Sequence, residues 1–376
     1  MLDLDFSPEQ EMLRDSLRSL LADACPLQTV RALEDDPVGF APELWAQLGK
    51  LDLIGLLLPE AHGGSGMSLV EGVVLYEELG RSLAPTPHFV SAVLAGGVLA
   101  AAGSDEQQGA LLPGIVSGET ILSVAWLEPG GGFGARGVAM RAVPDGAGAY
   151  RLSGTKRHVA FAGAASHLVV LARTGDDPEA VDLFLVPTTA AGVASTQKMS
   201  IGSDTQFDVT FTDVAVTDAD RIGAASSGWR TWNGAMHDGI ILLAAQAMGG
   251  ARQALDITVQ YAKDRQQFDK PLGAFQALAH YLADAQTTVD GGATLVHEAA
   301  WARAAGRSVD KLAPMAKLFA CQTYRDVTAM AQQVFGGIGF TLEFDIQLYF
   351  RRAKQLQISW WDTRYLEELV AAAVLD

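Results

Sequence analysis

The sequence predicts an α+β protein with helices at both ends and a strand-rich middle. Three observations carry that prediction. Apolar residues recur at helical spacing over residues 1–118 and again over 224–376. Between them, residues 119–223 break into short runs of strand-preferring residues punctuated by Gly, Pro, Asp and Ser. No strand–helix alternation and no G-x-G-x-x-G after a strand is found, which argues against a doubly wound dinucleotide fold.

In the first part, Ser7 can cap a helix with Pro8 at its first position and Gln10 at its third, a capping box of the form S-x-x-Q. Leu13, Leu17, Leu20 and Leu21 follow at helical spacing. The cluster at Gly63, Gly64 and Gly66 lacks the G-K-[ST] ending of a phosphate loop and reads as a connecting turn. The middle part carries the runs Ile121 to Trp126, Tyr150 to Leu152, Leu168 to Ala172 and Val181 to Val186, with Val209, Phe211, Val214 and Val216 in a further stretch. These fit a small β-barrel or sandwich. In the last part a long helix is expected from Trp229 to about Asp264, rich in the small residues Ala244, Ala245, Ala247, Gly249, Gly250 and Ala251. Small residues let helices approach closely, as in a four-helix-bundle-like domain or a subunit contact. Breaks are expected at Pro271, at Gly291 and Gly292, near Pro314 and at Gly336 and Gly337.

Composition narrows the function. The 376 residues carry 27 Lys+Arg against 44 Asp+Glu, a net charge of −17, and 49% are hydrophobic. Apolar content on that scale supports a real core and excludes a disordered chain. The acidic balance argues against a nucleic-acid binder, which displaces counterions with lysine and arginine. Two cysteines, Cys25 and Cys321, make no disulfide framework and have no metal-ligand spacing, so no metal is expected. No apolar run reaches the length of a membrane span, and the acidic start has no signal-peptide pattern, so a cytoplasmic protein is expected.

The most specific feature is the segment holding Arg265, Phe268, Pro271, Gly273, Phe275 and Gln276. It resembles the R-x-x-F-G-x-P-x-G-x-F-Q signature of the acyl-CoA dehydrogenase family, with Asp269 in place of one glycine. Gln333, Gly336, Gly337, Gly339 and Phe340 resemble a second family element, and Arg351, Arg352, Ala353 and Lys354 a third. The resemblance spans essentially the whole chain. It implies FAD as cofactor, an acyl-CoA thioester as substrate, an electron-transfer flavoprotein as acceptor, and a homo- or hetero-oligomer (dimer or tetramer), in fatty acid or steroid side-chain metabolism. Arg265, Phe268, Gln276, Gln333, Gly336 and Gly337 match family residues that hold the adenosine and diphosphate half of FAD across a subunit interface. Their chemistry agrees: a guanidinium fork suits a pyrophosphate, a phenyl face suits a ring, amides suit an adenine or ribose edge, and glycines let backbone approach phosphate oxygens.

The reaction side departs from the pattern. The loop matching the family's T-E-P-x-x-G-S-D begins at Leu127, after Trp126, and lacks both its hydroxyl and its Ser-Asp pair. The element that covers the flavin ring, W-I-T/S in the family, appears here as His158, Val159 and Ala160. Trp126, Leu127, His158 and Ala160 are therefore the expected ring-side contacts. The two positions where members of the family carry the glutamate base hold Trp360 and Gly239. Asp362 and Asp238 are the neighbouring carboxylates and the candidate bases, with helix capping and a solvated surface as their plain alternatives. The small residues near Gly239 and Ala244 hint at room for a bulky acyl group. The expected function is a FAD-dependent acyl-CoA dehydrogenase. The alternatives are a weakly or non-catalytic partner subunit that completes the cofactor site of a heteromeric dehydrogenase, or a flavin oxidase or monooxygenase of similar fold.

Overall fold

A computed structural model describes residues 6–202 and 204–375. The chain forms two compact units, one from the stretches ending at Arg31, Ser68–Ala84 and everything from Ile240 on, the other from Ala32–Met67 and Pro85–Gly239. The N-terminal helical stretch is thus shared between them. The α+β class is as expected.

The first unit is helical. Its N-terminal helix α1 (Pro8–Ala24) starts at the expected capping box, with the Gln10 N–H donating to Ser7 Oγ at 3.3 Å and the Ser7 N–H to Gln10 Oε1 at 2.9 Å. Helix α2 (Leu27–Ala32) ends the first stretch of that unit, and α3 (Pro42–Lys50) belongs to the second unit. Helix α4 (Leu69–Arg81) returns to the first unit, and α5 (Gly97–Ala102) and α6 (Asp105–Ser117) belong to the second. Just before α5, residues Phe89–Gly96 form a π-helix, a rare conformation that concentrates at functional sites.

Two four-stranded sheets make the middle of the second unit. The strands are β1 (Leu122–Ala125), β2 (Ala142–Pro144), β3 (Ala149–Ala160), β4 (His167–Arg173), β5 (Val181–Pro187), β6 (Val193–Lys198), β7 (Gln206–Thr217) and β8 (Arg221–Ile222). One sheet has the order β1-β4-β5-β8, with β1 and β4 parallel, and the other the antiparallel order β2-β3-β7-β6. Leu152, Leu168, Val170, Phe184, Val209 and Phe211 meet in one core, so the sandwich form of the expectation is the one adopted.

Helix α7 (Gly228–Asp264) begins in the second unit and belongs to the first from Ile240 on, which continues with a hairpin of β9 (Gln266–Gln267) and β10 (Lys270–Pro271), and then α8 (Gln276–Ala304), α9 (Leu312–Phe335), α10 (Ile346–Ile358) and α11 (Thr363–Leu375). The small residues of α7 are contact points. A Cβ on Gly249 would sit 1.8 Å from the Glu77 carbonyl oxygen, and one on Gly250 2.5 Å from the Tyr324 ring. The break expected at Gly291 and Gly292 does not occur, and α8 runs through both. Gly292 is instead where α8 lies against Met248 of α7, since an added Cβ would come within 2.4 Å of its sulfur. Packing, not chain reversal, selected that glycine. Among the described residues no helix is long and apolar enough to cross a membrane, and no group of three His, Cys, Asp or Glu is placed to hold a metal.

Candidate cofactor and active site

The segment holding Arg265 turns a tight corner. The Arg265 N–H donates to the Tyr261 carbonyl at 2.8 Å and its carbonyl accepts from the Leu272 N–H at 2.9 Å, so the backbone is fixed. Its guanidinium is exposed and has no partner among the described residues. At the hairpin tip, Phe268 and Asp269 have φ of 53° and 62°, the left-handed pair that a two-residue type I′ turn requires. A phenylalanine there is a strained choice, and this one is also 85% exposed. The Phe268 ring meets Phe275 edge-on, with ring centres 6.3 Å apart. Gln276 opens α8 and Gln333 lies in the last turn of α9, both with exposed side chains.

The two parts of this edge adjoin. Tyr261, one turn before Arg265, stacks on Phe335, two residues after Gln333, with ring centres 4.1 Å apart and planes 14° apart. Gly336 (φ 66°) ends α9, and added Cβ atoms on Gly336 and Gly337 would meet nothing within 4 Å. The backbone there is open to a close-approaching ligand. The donor set, the free guanidinium and the accessible glycines fit the adenosine diphosphate half of FAD. Arg265, Phe268, Gln276 and Gln333 are all exposed along this edge.

The expected ring-side residues are built into the β unit. Trp126 is buried, its indole 5.3 Å from Trp232 and 5.8 Å from Phe133, which stands where the family carries serine. Leu127 is half-buried, and its carbonyl accepts from the Arg157 N–H at 2.8 Å. His158 is exposed with φ 53°, its Nδ1 bonded to the Gln206 amide oxygen, and Ala160 is half-buried. Since Gln206 Nε2 donates to Asp204 Oδ1 at 3.2 Å, its oxygen faces the imidazole and Nδ1 carries the proton. None of Leu127, Phe133 or Ala160 offers a side-chain hydrogen bond, so fit to a flavin ring on this side rests on main-chain groups.

Sequence reasoning missed what holds that loop. Lys156 is fully buried, and its ammonium lies 2.6 Å from Glu128 Oε1 and 3.3 Å from the Trp126 carbonyl. Burial drives it down to about 8 against the opposing pull of Glu128. Glu128 also accepts the N–H groups of Ala139 and Met140 at 3.0–3.1 Å. The glutamate of L-E-P is thereby committed to shaping the 127–140 loop. A lysine in a strand of mixed polarity carries no sequence mark of such burial.

Neither family position for the base holds a carboxylate, and at Gly239 a side chain would meet close neighbours. A Cβ there would lie 3.1 Å from Leu94 and 3.1 Å from the Phe89 ring, both in the π-helix. Phe89 and Leu94 thus stand directly over the Gly239 Cα. The π-helix start is itself pinned, with buried His88 donating from Nε2 to the Leu53 carbonyl at 3.1 Å. Asp238, one residue away on α7, is half-buried.

At the other position, Trp360 and Trp361 have φ of 54° and 72°. Asp362 is the N-cap of α11, its Oδ1 accepting the Tyr365 N–H at 2.9 Å while its carbonyl takes the Leu366 N–H at 3.0 Å. Cys25 and Cys321 are buried free thiols, as expected, and burial raises both.

Comparison with known proteins agrees with the family resemblance. The acyl-CoA dehydrogenase N-terminal, middle and C-terminal domain families match residues 7–119, 123–214 and 226–375. The probable acyl-CoA dehydrogenase YngJ of Bacillus subtilis is 30% identical, over 100% of both chains. The ChsE4-ChsE5 complex from Mycobacterium tuberculosis superposes with a TM-score of 0.90 at 28% identity, covering 100% of this chain and 99% of the other. The Tcur3481-Tcur3483 steroid ACAD superposes with a TM-score of 0.86 at 33% identity, covering 98% and 99%. The chain belongs to the acyl-CoA dehydrogenase family of oxidoreductases.

Proposed function

We propose that this chain is the cofactor-site-completing subunit of a heteromeric, FAD-dependent acyl-CoA dehydrogenase of the cytoplasm. The assembly removes two hydrogens across the α,β bond of an acyl-CoA thioester and passes electrons to an electron-transfer flavoprotein. The observation that carries this reading is that neither family base position holds a carboxylate. Gly239 and Trp360 stand there, Phe89 and Leu94 crowd Gly239, and Asp362 caps α11 through Oδ1. The adenosine-side edge, by contrast, keeps its expected residues exposed. That the two solved relatives above carry paired chains in their names supports the same reading.

The FAD, when bound, supplies the hydride acceptor. Arg265 would hold its diphosphate with guanidinium N–H donors, and Phe268 would offer a flat face to a ring. The Gln276 and Gln333 amides each donate and accept at the nucleoside, and the chain at Gly336 and Gly337 approaches the phosphates. The α-proton goes to a carboxylate of the sister chain. That chain also supplies the donors for the thioester oxygen, where charge develops.

A second reading has one observation in its favour. Asp362 lies two residues past the loop position and is half-buried, so a rearranged loop would bring a carboxylate near it. That chain would be a self-sufficient dehydrogenase with Asp362 as base. Purification of this chain alone, followed by a flavin spectrum and an acyl-CoA panel, separates the readings. The partner reading expects no acyl-CoA bleaching until a base-carrying sister chain is added, and unchanged bleaching in Asp362→Asn. Bleaching by the chain alone, abolished in Asp362→Asn, would establish the second reading instead. Peroxide production would point to an oxidase.

A further inference from the structure

A lysine is the last residue expected in a helical core without a carboxylate bonded to it. Lys317 lies on α9 with 0% of its surface exposed. Its ammonium donates to three carbonyls, those of Leu356 at 3.0 Å, Ser359 at 2.9 Å and Trp361 at 2.9 Å. An ammonium has three N–H donors, and all three are used. The carbonyls are not scattered. Leu356 is in the last turn of α10, where helix carbonyls lack partners, and the other two belong to the 359–362 loop that follows.

That loop needs an external hold. Trp360 and Trp361 adopt left-handed φ in succession, a conformation that costs a bulky residue free energy at each position. Trp361 is itself fully buried, its ring edge-on to Tyr365 at 5.4 Å. A second strut runs from Gln357, whose Nε2 donates to Thr363 Oγ1 at 3.3 Å. Immediately downstream, the Asp362 cap fixes the start of α11.

We propose that Lys317 is the positioning residue of the 359–362 loop. Its charged ammonium holds the strained Trp360–Trp361 backbone, orients Trp360 and keeps Asp362 in its capping role. The charge state matters because a neutral amine has only two N–H donors, so one of the three bonds to the loop carbonyls is lost. Burial lowers the lysine's affinity for its proton, so this loss comes at a lower pH than it would for an exposed lysine. The titratable groups acting on it are Cys321, one turn along α9 with a thiol that burial keeps protonated, and Asp362, whose carboxylate favours the ammonium. The consequence for the reaction rests on the function proposed above, since it concerns which side chain the chain presents at position 360. The hold itself does not rest on it.

Hydrogen exchange on the full chain tests the hold directly. The reporting amides are Ser359, which donates to Gln355 at 3.0 Å, and Tyr365 and Leu366, which donate to Asp362. In Lys317→Met these amides should exchange at least about tenfold faster, while the amides pairing β4 with β5 stay protected. In the wild-type chain their protection, corrected for intrinsic exchange, should fall as pH rises through the lysine titration. In Lys317→Met the same profile should be flat. The wild-type pH arm needs no variant and stands if Lys317→Met does not accumulate. Protection at these amides within about twofold of wild type would overturn the proposal. So would equal loss at β4 and β5, or a wild-type profile as flat as the variant's. If loop exchange behaves as expected but the chain alone is bleached by acyl-CoA, the hold is upheld and the partner-subunit reading fails.

Discussion

Two stretches of the helical unit share a backbone oddity and put it to opposite uses. The hairpin tip has Phe268 and Asp269 at φ 53° and 62°, and the loop after α10 has Trp360 and Trp361 at φ 54° and 72°. In the hairpin the strained aromatic ring points outward with no core to hold it. In the loop a buried lysine grips the backbone and Trp361 is packed inside. On the proposed reading, strain held outward serves a ligand, and strain clamped inward fixes a closed surface. The same contrast separates the retained nucleotide edge from the missing base.

The closed side should break first. Gly239→Glu, which restores a carboxylate at the helix position, forces a charged side chain against Phe89 and Leu94. A loss of at least about 4 kcal/mol in chemical denaturation is expected, with no acyl-CoA bleaching gained. A stable, bleachable Gly239→Glu chain would show that the position is open after all.

The seal over Gly239 should also weaken in acid. The buried His88 imidazole is pushed down to about 4, whereas an unfolded histidine protonates near about 6.5. Between those values the unfolded chain binds the extra proton, so stability falls as pH drops through the window, by about 3 kcal/mol from this group. Denaturation midpoints of wild type and His88→Gln across that range should differ in slope, with the variant flatter. Parallel slopes would remove His88 from the account.

Smaller effects sharpen the contrast. Asp362→Ala should cost about 1 kcal/mol through the lost cap. Phe268→Gly reverses the sign, because relief of the left-handed φ should raise stability by about 1 kcal/mol while FAD binding weakens. A Phe268→Gly chain with full FAD affinity would mean the ring faces solvent for no purpose.

Much of this architecture was legible in the sequence. The Ser7 box, the β-branched runs of β4 and β5 and the small-residue stripe of α7 each state a local rule that the fold obeys. Gly291 and Gly292 misled because the sequence shows a glycine but not its neighbour, here Met248. Strand β6 was passed over because its side chains are largely exposed, which leaves little apolar alternation to read. Lys156 and Lys317 escaped for a related reason. A lysine looks like a surface residue until the carbonyls and the carboxylate it reaches, far along the chain, are placed around it. On the site, the family motifs exposed the nucleotide edge and the vacant base positions. The filling of Gly239 by a π-helix is a tertiary fact that no motif encodes.

The account turns on Arg265, the exposed guanidinium assigned to the FAD diphosphate. The decisive measurement is the FAD dissociation constant of the assembled wild-type and Arg265→Ala proteins, alongside their thermal stabilities without flavin. FAD binding weaker by at least about tenfold, with flavin-free stability unchanged, is the predicted result. Equal FAD affinity in the two proteins would contradict it, and with it the claim that this edge holds the cofactor.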